Sequence, residues 1–380
     1  MRIAVIGRGL VGSAAARHLS AQGHEVALIG PTEPADKAGH TGVFASHYDE
    51  GRITRGIDPW PFWARVSRAS IARYRQIEAE SGIAFYTERG ILMAGPAGSA
   101  PIGRVAAVAK AQGITCTHFD AQGLAQRFPY FRFDGPMLGV FEDAQSGFIS
   151  PRRLVAAQSE AARRNGATLV EAVATSVRET GSGVVVETEA GPVEADQALV
   201  AAGGFSNMVL PRPLDIRVYA RTVALFEVSE AEAARLSSMP PLIYLMPSGE
   251  DPYLLPPIRY PDGKWYLKLG GDPEDHVLED VEATKAWFRS DGSKEVMAHL
   301  HAQIIDRMPD LRIESVSRAA CVTTYTPDNI MALERVSDRV SVAVGGCGRG
   351  AKCSDELGRL GAEVALGRDL PDWAREAAVA

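Results

Sequence analysis

The residues best suited to chemistry stand at the start of the chain. Gly7-Arg8-Gly9-Leu10-Val11-Gly12 follows the apolar, β-branched run Arg2 to Ile6 and opens a stretch, Ser13 to Ser20, where small and apolar residues recur at helical spacing. In such a strand-turn-helix, Gly7 permits the tight turn, Gly9 lets backbone approach a pyrophosphate, and Gly12 lets helix and strand pack closely. Free N–H groups at the helix start, around Leu10 and Val11, then hold the anion. The spacing points to dinucleotide binding; the bland alternative is a Gly-rich turn of no consequence. After the next strand pattern, Glu25 to Ile29, the acidic residue that would grip an adenosine ribose is missing. Gly30 stands in its place, and Glu33 is the loop residue that could substitute.

Two further groups carry charge. The loop Gly42 to Arg55 contains "SHYDEGRITR", from Ser46, with His47 and two arginines three apart, Arg52 and Arg55. The run Gly345-Gly346-Cys347-Gly348-Arg349-Gly350 precedes a helical pattern, so its N–H groups and the helix dipole suit a developing negative charge. Arg349 brings a second cation to that place, pointing either to a larger or more acidic substrate or to solvent. The four cysteines (Cys116, Cys321, Cys347, Cys353) show no CxxC pair, so free thiols in a reducing cytosol are expected and a metal site is not. Lysine is rare, 7 against 33 arginines, which draws attention to Lys268 and Lys352.

The elements that must position these residues follow from periodicity. Helical patterns cover about Pro61 to Ser81, Pro101 to Gln112, Pro151 to Asn165, Asp280 to Met308 and Asp355 to Leu366. Strands are expected in 168–179, in a hairpin over 183–196, and in 197–204. Arg217 to Leu269 reads as an antiparallel sheet, and a last strand pair is expected around Cys321 and Val340 to Val344. Nothing resumes the βαβ pattern directly after Gly30, as a nicotinamide enzyme would; the nucleotide fold returns only near residue 150, a split that suits a flavoprotein.

Composition limits the rest. With 380 residues, 46% apolar and 23% charged, the chain is long enough for two or three domains with sizeable cores. A net charge of −7 leaves no overall field for nucleic acid or an anionic membrane, and no apolar run reaches the length of a membrane span. A soluble, cytoplasmic protein is expected.

At this point the sequence resembles the sarcosine oxidase branch of the flavin-dependent D-amino-acid-oxidase-like superfamily, over nearly the whole chain. The matching pieces are the N-terminal glycine motif, the loop Ser46 to Arg55, "GILMAGPAG" at 90–98, "DAQSGFISPRRL" at 143–154, "EADQALVAAGGFSNMVL" at 194–210, "YLKLGG" at 266–271, "CVTTYTPD" at 321–328 and "GGCGRGAKCS" at 345–354. The resemblance implies FAD, joined as a thioether through Cys321 at the flavin's 8α methyl; read from the residue alone, Cys321 is equally a buried structural thiol. It implies that Lys268 stands by the flavin where oxygen reacts, a fixed positive charge that stabilises oxygen as it is reduced. Arg55 and Lys352 match the pair that binds a substrate carboxylate, a flat fork beside a point charge. Arg52 matches the arginine facing the cofactor. Val173 resembles the residue whose backbone meets adenine, Ala202 and Gly203 the close-approach turn under the ADP, and Tyr253 a pocket residue. Gly348 and Gly350 belong to the cofactor loop, where Arg349 replaces a histidine of the branch; Thr323 replaces its tyrosine, with Tyr325 two places on.

The implied architecture is α/β plus α+β: a split Rossmann-type FAD-binding domain (1–84, 149–215, 317–370) and an antiparallel-sheet substrate domain (85–148, 216–316). The implied reaction is hydride transfer from a secondary or N-methyl amino acid to flavin N5, hydrolysis of the imine, and reduction of O₂ to H₂O₂ by a monomer. No general base is obvious, and none is required if the free amine binds. The rivals are a dehydrogenase or complex subunit passing electrons to another acceptor and, more remotely, a non-catalytic flavin-binding protein.

Overall fold

The N-terminal strand Arg2–Ile6 is buried on both faces from Ile3 onward, as its unbroken apolar run requires. The computed structural model describes residues 1–375 and places this strand inside a six-stranded sheet. Glu25–Ile29 and Gln197–Val200 pair with it in parallel on either side. Thr168–Val170 and Val340–Val344 extend the two flanks in parallel, and Ala332–Arg335 closes one edge antiparallel. Alternate residues face opposite ways. Ile3, Val5, Leu28 and Leu199 pack with residues of the helices Leu10–Ala21 and Gly350–Ala365. Ala4, Ile6, Ala198 and Val200 pack against the small antiparallel sheet of Ala174–Glu179, Val184–Thr188 and Val193–Ala195.

A second, nine-stranded sheet is antiparallel except where Leu242–Tyr244 runs parallel to Ile91–Pro96. Its longest member, Arg217–Val228, pairs along its length with Ser315–Tyr325, in register from Arg217↔Tyr325 to Glu227↔Ser315. Trp265–Gly270 lies on its other edge and Tyr253–Arg259 beyond that. A hydrophobic core built on Leu242, Leu267, Phe226 and Leu300 fills one side of this sheet.

The structure corrects four expectations. Cys321 and Val340–Val344 do not form a strand pair: the Cys321 strand finds its partner far upstream in Arg217–Val228, and Val340–Val344 joins the parallel sheet. The stretch Pro61 to Ser81 is two helices, Pro61–Ile71 and Tyr74–Ser81, joined at Ala72 and Arg73. The stretch Asp280 to Met308 is also two, Val281–Arg289 and Lys294–Arg307. Gly292 at φ +85° breaks the run, and the Ser293 side chain accepts from the Val296 N–H to start the second helix. The last helix begins at Gly350, a full turn before Asp355, which puts Lys352 in its first turn.

One crossing fixes the relation of the first and last helices. A Cβ on Gly358 would stand 2.5 Å from Ala14 Cβ, 2.6 Å from Ala15 N and 2.8 Å from Val11 O. Beside it the fully buried Asp355 accepts from Arg17 Nη2 (2.9 Å), Gln158 Nε2 (2.9 Å) and Arg73 Nε (2.5 Å), tying the helices together. Burial opposes its charge, but His18, Arg73 and Arg17 outweigh burial and hold the carboxyl well below the usual carboxylate range. Gly358→Ala is expected to lower unfolding free energy in urea by about 1–3 kcal/mol through overpacking, against the roughly 1 kcal/mol that alanine gains as a helix former. A variant at least as stable as the parent would show that the helices are not pinned there.

Candidate active site

A cleft of about 590 Å³ is walled by both sheets. One end is lined by Gly7, Gly9, Leu10, Val11, Val173, Ala202 and Gly203, the other by Arg55, Tyr253, Cys321, Gly348, Arg349, Gly350 and Lys352, with Ser46 and Arg52 also on the wall. The helices Leu10–Ala21 and Gly350–Ala365 both begin at this cleft, and neither has a side-chain cap. Their first N–H groups therefore await an acceptor from outside the protein, and both ends carry the positive pole of a helix dipole. Nothing lies within 4 Å of where a Cβ would stand on Gly9, Gly203 or Gly350, so the backbone is open at all three. Thr323 Oγ1 and His47 Nδ1, buried at the cleft, have no hydrogen-bond partner. A long, doubly anionic nucleotide with a polar ring suits this donor set, so the residues fit FAD.

The charged end is organised by a residue that sequence reasoning missed. Asp58, fully buried, accepts from Arg55 Nη1 at 2.7 Å. The same oxygen lies 3.2 Å from Lys352 Nζ and 3.4 Å from Arg349 Nε, and Trp60 N donates to the other at 3.1 Å. Burial opposes ionisation, yet Lys352, Arg55 and Arg349 overcome it and hold the carboxyl far below its ordinary value. Burial pushes the Lys352 ammonium down, with Asp58 among the groups that support it. Glu142 fixes the loop from below, accepting from Gly56 N (2.8 Å) and Ile57 N (3.2 Å). Tyr74 Oη donates to the Lys352 carbonyl at 2.9 Å. The signal available in the sequence was the i, i+3 spacing of Arg55 and Asp58.

Lys268 is fully buried and does not itself line the cleft. Its Nζ donates to Asp49 Oδ2 at 2.5 Å and Gly51 O at 2.6 Å, and lies 5.7 Å from the centre of the Tyr253 ring. Burial and Arg52 push its pKa well down and Cys321 acts the other way, with the Asp49 carboxylate in ion-pair contact. Arg52 also contacts Asp49, donates to Ser46 O at 3.1 Å, and reaches Cys321 Sγ at 3.4 Å. The Cys321 carbonyl is anchored by Trp287 Nε1 at 2.8 Å, leaving the thiol on the cleft wall. His47 is pushed down to about 3 by burial and by Arg152, Arg8 and Arg52, so it faces the cleft as a neutral imidazole. Burial also pushes cleft-lining Asp272, which accepts from Thr222 N, up to about 6.

Two expected cofactor residues stand outside the cleft wall. Gly12 acts in packing: a Cβ there would lie within 1.9 Å of the Gly7 carbonyl oxygen. Glu33 turns away, accepting from Arg152 Nε (2.6 Å) and Nη2 (2.8 Å), and Arg152 goes on to bridge to Glu50. Its carboxylate is therefore taken up by the arginine, and Ile29, Gly30 and Pro31 line the cleft at that point instead. Among the described residues no helix is long and apolar enough to cross a membrane.

Comparison with known proteins adds to this geometry. Residues 2–364 match the DAO family, described as FAD dependent oxidoreductase. N-methyl-L-tryptophan oxidase of Salmonella arizonae is 26% identical over 369 residues, covering 95% of this chain and 94% of that one. Among solved structures, NikD, an unusual amino acid oxidase essential for nikkomycin biosynthesis, superposes with a TM-score of 0.77 at 21% identity, covering 99% of this chain and 96% of that one. L-proline dehydrogenase from P. horikoshii does so with a TM-score of 0.76 at 17% identity, covering 97% and 94%.

Asp58→Asn removes the anion supporting the buried Lys352 ammonium. A lysine whose pKa falls loses its proton sooner as pH rises, so carboxylate binding should fade from a lower pH. Titrating the holoprotein with propionate at pH 6 and pH 9, the ratio of the two affinities is expected to grow, about tenfold for each unit by which that pKa falls below 9. An unchanged ratio would show that Asp58 does not govern Lys352.

Proposed function

The chain belongs to the FAD-dependent oxidoreductase family that it matches over residues 2–364, and from that premise we propose that it oxidises a secondary or N-methyl amino acid with O₂ as electron acceptor. The observation carrying this reading is the pairing of Arg55 and Lys352 on one buried carboxylate at the cleft wall. Two cations fixed side by side, one a fork and one a point charge, are what orienting an amino acid's carboxylate requires. The N-methylated amino acid in the name of the Salmonella relative supports the substrate class.

Bound FAD would supply the redox chemistry, the two-electron oxidation of the amine to an imine coupled to reduction of O₂ to H₂O₂, and the imine would hydrolyse in water. The chain supplies position and charge. Arg55 and Lys352 hold the carboxylate so that the amine-bearing carbon is presented in one orientation. The uncapped start of Gly350–Ala365 and the N–H groups of the preceding glycines meet negative charge. Cys321 Sγ, on the wall beside Arg52, is the atom we assign to covalent attachment. Lys268 places a positive charge just behind the wall for oxygen reduction. One observation favours the rival in which another acceptor takes the electrons: Lys268 Nζ is bound by Asp49 and Gly51 O and lines no part of the cleft.

Aerobic turnover with an N-methyl amino acid is expected to release one H₂O₂ per substrate; full flavin reduction without peroxide would favour the rival. Lys268→Met should reduce normally without oxygen and reoxidise about 100-fold more slowly, the scale on which a fixed electrostatic donor contributes. Unchanged oxygen kinetics would remove its role. Cys321→Ala should release all yellow colour on acid precipitation, and colour retained in the pellet would contradict the linkage.

A further inference from the structure

The cleft holds one cation more than a single carboxylate uses. The side chain of Arg349, the residue before the last helix, donates one hydrogen bond, from Nη1 to Cys347 O at 3.3 Å. Its Nε is buried with no hydrogen-bond partner. Its ion pair is with Asp58 at 3.4 Å, an oxygen already hydrogen-bonded by Arg55 at 2.7 Å and approached by Lys352 to 3.2 Å. Of the other arginines on the cleft wall besides Arg55, Arg8 pairs with Glu171, Arg221 with Asp275, and Arg52 with Asp49, which it shares with Lys268. Asp251, on the same wall, acts on Arg349 and Arg55 at longer range but forms no ion pair with either within 4 Å among the described residues.

Three cations therefore face one fully buried anion. Among the groups in ion-pair contact, the carboxylate of a simple amino acid leaves one positive charge in excess. A buried charge without a partner is costly. A substrate with a second carboxylate brings that count to zero and offers acceptors to an arginine fork whose Nε has no hydrogen bond.

We propose that Arg349 receives a second anionic group, so that the preferred substrate is a secondary or N-methyl amino acid with an acidic side chain: the α-carboxylate on Arg55 and Lys352, the side-chain carboxylate on Arg349. This rests on the amino-acid oxidase reading of the same cleft. It sets Arg349 as the residue that chooses among amino acids, whereas the Arg55 and Lys352 pair accepts any of them.

The test uses the holoenzyme with two substrates of matched size, N-methylglutamate and its neutral side-chain amide N-methylglutamine. The parent is expected to reduce its flavin at least tenfold more efficiently, in kcat/KM, with the diacid. In Arg349→Gln that preference should collapse towards parity, and Arg349→Lys should restore part of it. Because the variants could fail to fold, binding is also read on the parent alone: glutarate should perturb the flavin absorbance at a concentration at least tenfold lower than butyrate. Equal or better use of the neutral substrate, or equal binding of the two acids, overturns the second-carboxylate proposal and leaves the amino-acid reading standing. If neither substrate reduces the flavin and neither acid binds, the reading itself falls and the proposal with it.

Discussion

Where the first and last helices cross, neither has room to move. Gly358 sits against the backbone of Val11 and Ala15 so closely that a methyl group would collide with both. Asp355, three residues before it, collects Arg17 and Gln158 from two other helices and Arg73 from the link between two more. Since the crossing is locked, the starts of both helices open on the same cleft, although Leu10 and Gly350 lie at opposite ends of the sequence. The glycine turn that precedes each start comes with it. The anion-binding end and the charged end of the cleft thus have a common geometric origin.

Buried charge is used twice, in different ways. Around Asp355 the cations come from one helix and from the link between two others, the carboxylate is satisfied on both oxygens, and the result is mechanical. Around Asp58 three cations converge mainly on one oxygen, and the cations, not the carboxylate, face the open space. Three like charges within reach of one another would repel in a site of low dielectric without that anion. Asp58 therefore makes the arrangement of Arg55, Arg349 and Lys352 tolerable before any ligand arrives. Lys268 follows the same rule on a smaller scale, held in a fully buried position by Asp49 and a carbonyl.

The parts of this layout legible in the sequence were those with local causes. The strand, glycine turn and helix at the N-terminus declared themselves through spacing, and the scarcity of lysine singled out Lys268 and Lys352 before their burial was known. Parts with distant causes were not legible. Asp58 lies only three residues from Arg55, but its importance depends on residues nearly 300 positions away that share no periodicity with it. Glu33 is well placed in the sequence for a ribose and is instead held by Arg152, 119 positions on. The Cys321 strand was misassigned because its apolar pattern says that it pairs, not with which strand. Register across about a hundred residues is settled by the packing of the whole sheet.

The dependence of one cleft on both ends of the chain also orders events during synthesis. A ribosome that has made the first 340 residues has made the first glycine turn and Cys321, but not the second helix start nor Lys352. At some 5–20 residues per second the two halves of the cradle are separated by tens of seconds. A complete cradle therefore needs the helix Gly350–Ala365, and a chain shortened before it would lose one half even with its N-terminal fingerprint intact.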